Sequence, residues 1–227
     1  MLLLLTTIIS DSTLQQPIST SKISLLNLLE QGGFIMYPLY LLLIIVIFVF
    51  IERFLVIKNE NIHVDREMLQ IKDKILSGQQ QAAIDIARKM NSAIGRIIEK
   101  GIIRMNKPVY IVEKSMENIG RIELFRLEKG LQVLSLIAGI APMFGFLGTI
   151  VGMVQLFYGI SSTGEYTLNT IAGGIYTKMI TSATGLIIGL LAYIAHHFLT
   201  HQIDKKTNQM EIASIELLDI IQTPTNI

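Results

Sequence analysis

Thr170, Thr177, Thr181 and Thr184 are separated by seven, four and three residues, spacings that place all four on one face of a helix. Hydroxyls both donate and accept hydrogen bonds, so such a ribbon can hold water or solvate a proton carrier without itself titrating. Each hydroxyl taken singly also has a structural use, bonding back to the carbonyl four residues earlier. Lys178 is the one basic residue in the same apolar run. Two readings are open for it: its stem snorkels to the outer headgroups, or its ammonium faces a pore or helix interface and pairs with a polar group. His197 and His201 share a helical face, but no glutamate intervenes and no third strong ligand is near, so no metal site is expected. GFLGTIVG, residues 145–152, lacks the Gly-Lys-Ser/Thr ending of a phosphate loop. With no nucleophile and base in a recognisable arrangement, neither a cofactor nor a conventional enzyme activity is expected.

These residues must be positioned by apolar helices. The run from Ile137 to Phe157, IAGIAPMFGFLGTIVGMVQLF, is long enough to span a membrane, yet Gly139, Pro142, Gly145, Gly148, Thr149, Gly152 and Gln155 interrupt it. Small residues serve membrane helices where backbones approach closely, so Gly139, Pro142, Gly145, Gly148 and Gly152 are expected to pack against other helices. A proline inside a span frees a carbonyl that neighbouring helices, hydroxyls or water must satisfy, which also points to an interior position.

The composition agrees. Hydrophobic residues make up 51% of the 227, charged residues only 16%, and the mean hydropathy is positive, which places the chain among integral membrane proteins. The absence of cysteine excludes disulfides and thiolate metal sites, and a net charge of +1 argues against a nucleic-acid partner. Three spans emerge, at residues 34–52, 131–158 and 171–199, and the last two are separated by a short polar loop, 159–170, that suits a helical hairpin. Of the 19 Lys and Arg residues, 15 lie between the first and second spans, whereas the hairpin loop has none and carries Glu165. The segment 53–130 is therefore expected in the cytoplasm, with the N-terminus outside and the C-terminus inside.

Within 53–130, helices are expected at Val64 to Leu76, at Gln80 to Met90 after Ser77 and Gly78, and at Ala93 to Met105 with Ser92 as cap. Pro108 suits a further helix start, and Val112, Met116, Ile119, Ile122 and Leu127 form its apolar face. One continuous rod is expected from Pro108 to about Tyr158, on the order of 75 Å long. The third span is expected to continue through Lys205 and Lys206 to about Ile221, within a cytoplasmic C-terminal helix, 200–227. MLLLLTTII at the N-terminus lacks a basic start and a good small-residue cleavage site, so retention is expected rather than cleavage as a secretion signal. The arm 1–33, with Ile23, Leu25, Leu26, Leu28 and Leu29, is expected to lie on the outer surface as an amphipathic segment.

ERFLVIK after the first span, APMFGFLGTIVGMVQLF in the second and GGIYTKMITSATGLIIGLLAY in the third resemble the ExbB, TolQ and MotA family of proton-driven motor subunits, most nearly its ExbB branch. The resemblance covers about Ile23 to Ile221. It implies an all-α, multi-pass protein of the bacterial inner membrane, forming a homopentamer whose second and third spans line a pore. That pore would hold the single-span helices of an ExbD-like partner, with proton flow at an aspartate of the partner driving rotation and a TonB-like protein passing the motion to outer-membrane transporters. Thr149 matches the threonine of the family's second-span motif and Ser182 a hydroxyl position in its third, so these two lead the ion-pathway candidates, with Thr177 and Thr181. Many members carry a glutamate in the third span where this chain has Thr177. No carboxylate then lies in the second or third span, so a partner must supply the titrating group, and the resemblance leaves open whether the ion is a proton or sodium. A TolQ-like role in envelope integrity, service to another motor, and a non-conducting scaffold are the alternatives.

Overall fold

Helices form wherever the expected periodicity is uninterrupted, and several of them stop at a residue with positive φ. The computed structural model describes residues 34–59, 64–164 and 167–222, with the side chains of Asn59, Val64, Asp65, Thr170 and Thr177 left aside. The expected N-terminal arm lies outside these residues. Among them are seven helices and no strand: α1 (Met36–Asn59), α2 (Val64–Leu76), α3 (Gln80–Lys89), α4 (Ala93–Ile103), α5 (Val109–Glu128), α6 (Leu131–Thr163) and α7 (Leu168–Gln222). Three of them, α1, α6 and α7, are long and apolar enough to cross a membrane, and the chain is an all-α membrane protein.

The short helices begin and end for local reasons. Gly78, at φ 72, closes α2, with its N–H donating to Ile75 O at 3.0 Å and that of Gln79 to Lys74 O at 2.8 Å. Asn91, at φ 45, does the same after α3. Ser92 caps α4, its hydroxyl accepting from the Gly95 N–H at 3.1 Å. Helices α2 to α5 pack with the far half of α7 into one polar domain around Met68, Ile71, Ile98, Ile102, Met116 and Leu217, all buried. Inside it Glu123 is buried and accepts two bonds of 2.7 Å from Arg96 and one of 3.3 Å from Arg126, so the buried carboxylate is paired.

The expected continuous rod from Pro108 to Tyr158 is two helices. The chain breaks at Lys129, which is extended at φ −53 and ψ 128, and at Gly130, which is left-handed at φ 89. A glycine takes that φ at little steric cost, whereas another residue would not. The corner is also occupied from the first span. Arg53 is buried there, Nη1 donating to Arg126 O at 3.4 Å and Nη2 to Glu52 at 2.9 Å, and a Cβ on Gly130 would sit 3.2 Å from its Nε.

The hairpin connection is shorter than the expected loop 159–170. Helix α6 runs on to Thr163, where Ser162 and Thr163 donate back to Gly159 O at 2.9 and 3.0 Å, and Gly164 at φ 66 ends it. Helix α7 starts at Leu168 and continues without a break for 55 residues, about 82 Å at the helical rise.

Candidate functional site

The antiparallel pair α6 and α7 makes the most extensive contact in the chain, and glycine is what lets it form. A Cβ built on Gly185 would meet Ala141 O at 2.6 Å, Gly145 Cα at 2.7 Å and Gly145 N at 2.9 Å, all of them backbone. A Cβ on Gly145 would meet Ser182 O at 3.0 Å and Gly185 Cα at 3.1 Å. The two backbones therefore touch at Gly145 and Gly185, close enough for weak Cα–H···O contacts. Toward the connection, Gly148 receives the Thr181 methyl, with a Cβ there only 2.5 Å from Cγ2, and Gly174 receives Leu156. Pro142 packs on Gly189, and Ala138 O, the carbonyl left unbonded by the missing proline N–H, lies 3.1 Å from the position of a Cβ on Gly189.

Gly152 receives Lys178. A Cβ at Gly152 would collide with Cγ, Cδ and Cε of that lysine, so the stem runs across the seam on the glycine. The pairings Gly145 with Gly185, Gly148 with Thr181, Gly152 with Lys178 and Leu156 with Gly174 follow one antiparallel register, so Gly152 and Lys178 stand at the same level.

The same register sets Thr149 level with Ser182. Thr149 follows Gly148 and Ser182 follows Thr181, the touching pair. In an antiparallel pair the next residue on each helix turns about 100° toward the same side of the seam. Both are half-buried, on the edge of the contact. Thr149 donates to Phe146 O at 2.6 Å, which leaves its oxygen free to accept, and its outer flank opens onto an apolar depression with Ile150, Met153, Val154 and Phe157.

The other hydroxyls of α7 are not equivalent to this pair. Thr181 is fully buried in the seam, at 0% exposure, and Thr177 has no described side chain. Thr184 donates to Ile180 O at 2.9 Å, the intrahelical alternative. Of the small residues expected to pack, Gly145, Gly148, Gly152 and Pro142 meet α7 of the same chain, whereas Gly139 has open space where a Cβ would be. Sequence reasoning missed Gly185 and Gly189, the other half of the contact, although GLIIG carries the small-xxx-small spacing that marks such faces. His197 packs edge-on to Tyr193 with ring centroids 4.4 Å apart. The apolar groove lined by Ile97, Met116, Leu124, Met210 and Leu218 belongs to the polar domain and contains none of the pathway candidates.

Residues 89–212, which include the whole hairpin, match the model of the MotA/TolQ/ExbB proton channel family. The chain is similar to the biopolymer transport protein exbB1 of Vibrio cholerae, 34% identical over 87 residues, which are 38% of each chain. It is also similar to a putative biopolymer transport protein ExbB homolog of Methanothermobacter thermautotrophicus, 24% identical over 198 residues, 83% of this chain and 67% of that one. A putative ExbB-like 1 protein of Synechocystis is 26% identical over 180 residues, 77% of this chain and 70% of the relative. The chain thus spans between about two fifths and seven tenths of these relatives.

Proposed function

Because the chain belongs to the MotA/TolQ/ExbB proton channel family, we propose that it is the pore-forming subunit of an ion-driven motor of the ExbB kind in a bacterial inner membrane. Five copies surround the single-span helix of an ExbD-like partner, and a TonB-like protein carries the motion outward. In this reading the polar domain lies in the cytoplasm and the hairpin connection outside, which the 15 basic residues between the first and second spans support.

The observation that carries this reading is the pairing of Thr149 with Ser182 at one level and on one side of a seam whose centre is closed by backbone contact. A dry seam does not conduct, so we place the passage of water or an ion carrier along its edge, where the two hydroxyls supply hydrogen-bonding groups. The residues Leu131–Thr163 and 168–199 contain no Asp or Glu, so the group that binds and releases the ion is the partner's. The chain supplies hydrogen bonds, shape and a barrier to leakage.

The test is reconstitution of the complex, co-purified with its partner, into liposomes. Ion flux that depends on the partner is expected, with a native mass giving five copies of this chain per complex. A stable assembly without flux under proton or sodium gradients would identify a scaffold instead.

A further inference from the structure

Among the described residues the ammonium of Lys178 has no counter-charge. Among the described residues no hydrogen bond or ion pair reaches it. Helix α6 has no charged or histidine residue along its whole length, and neither has α1 from Met36 to Ile51. On α7, Lys178 is the one such residue from Leu168 to Ala195. The titratable groups on the surrounding elements are the phenols of Tyr37 and Tyr40 on α1, Tyr158 on α6, and Tyr176 and Tyr193 on α7. An unpaired ammonium inside a span is costly, so such residues face cavities or find partners.

Snorkelling does not relieve it. Lys178 stands ten residues into α7, about 15 Å along the helix at its rise per residue. Its stem is used crossing sideways, with Cγ, Cδ and Cε all against Gly152 at the same level. Only the terminal nitrogen remains to be placed, and it cannot climb that distance. The spans of a second copy carry the same residues and no carboxylate either.

We infer that Lys178, laid across Gly152, forms an ion pair with a carboxylate carried at that level by an inserted helix of a different protein. This rests on the reading of the chain as a ring around a partner helix, and it adds the contact by which the ring holds that helix in register. The side is right, because Lys178 lies one helical turn before Ser182 on α7. The pair also sets when the partner's carboxylate takes a proton. A nearby ammonium favours the ionised form, so the carboxylate protonates at a lower pH with Lys178 present than without it.

The experiment uses the complex purified with its native partner, comparing the parent with Lys178→Met, Lys178→Gln and Lys178→Arg. Flux through liposomes is measured across pH. The two neutral variants are expected to shift the midpoint upward by about one pH unit, the low end for loss of an adjacent charge. Lys178→Arg is expected to stay at the parent midpoint. An unchanged midpoint in the neutral variants, or an equal shift in all three, overturns the pairing. Should Lys178→Met fail to assemble, Lys178→Gln decides on the same criterion. If the parent complex carries no flux, the motor reading fails by itself, and the pairing is decided by native mass: partner lost from the neutral variants but kept by Lys178→Arg supports it, and equal retention overturns it.

Discussion

Replacing Gly185 by alanine adds one methyl group at the point where two helical backbones touch. The new Cβ would lie 2.6 Å from Ala141 O, and since ordinary contact begins near 3.4 Å, the helices must part by about 0.8 Å. No rotamer change relieves this, because the three nearest atoms are all backbone. Overpacking of this kind costs about 1–3 kcal/mol. The better helix propensity of alanine returns about 0.5–1 kcal/mol, leaving a net loss of up to about 2.5 kcal/mol. Gly139→Ala is the control, since a Cβ there meets nothing within 4 Å and only the propensity gain applies. Thermal unfolding of both variants in lipid nanodiscs, followed by circular dichroism, gives the comparison. Gly185→Ala should melt below the parent and Gly139→Ala at or above it. Equal melting of the two variants would refute the assignment of Gly185 to a backbone contact.

Gly130→Ala should destabilise by about 1–2 kcal/mol, the cost of a left-handed residue with a Cβ, with the melting temperature as readout. Thr149→Val with Ser182→Ala should keep the native mass and lower ion flux through reconstituted complexes, because shape is retained while hydrogen bonding is lost; parent-level flux in the double variant would remove both from the pathway. The Glu117 carboxyl is held below the ordinary glutamate value of 4.5, first by the hydrogen bond from Lys114 and then by Arg121. Its stabilising effect is therefore complete above that value and fades as pH falls through the lower folded value. The melting temperatures of parent and Glu117→Gln should differ near neutral pH, converge in acid, and differ less in 1 M salt.

Helices whose ends depend on neighbours in sequence were legible. Val64–Leu76 and Ala93–Ile103 follow from periodicity and from Ser77, Gly78 and Ser92, and these interactions are local. The break at Gly130 was not legible, because a glycine within a long helical pattern reads as tolerable until Arg53, 77 positions earlier, is seen filling the corner. In the hairpin, residue type identified Gly145, Gly148 and Gly152 as contact residues, but type alone does not name the surface they touch. The level pairing of Thr149 with Ser182 needs the antiparallel register, which depends on Gly185 and Gly189. Lys178 was left with two readings because the direction of its stem depends on the space above Gly152, and that is a property of two helices together.

The unbroken α7 and the divided α5 and α6 give the molecule unequal mechanical compliance. A helix of 55 residues that joins the membrane to the polar domain is a strut: a twist applied at the level of Ser182 reaches Leu217 with little loss. The parallel load path through α6 has a joint at Lys129 and Gly130, with Arg53 of the first span as its stop. Under the proposed function, deformation imposed by a turning partner helix should collect at that corner, near the charged end of the spans, while the strut keeps the polar domain in step with the hairpin.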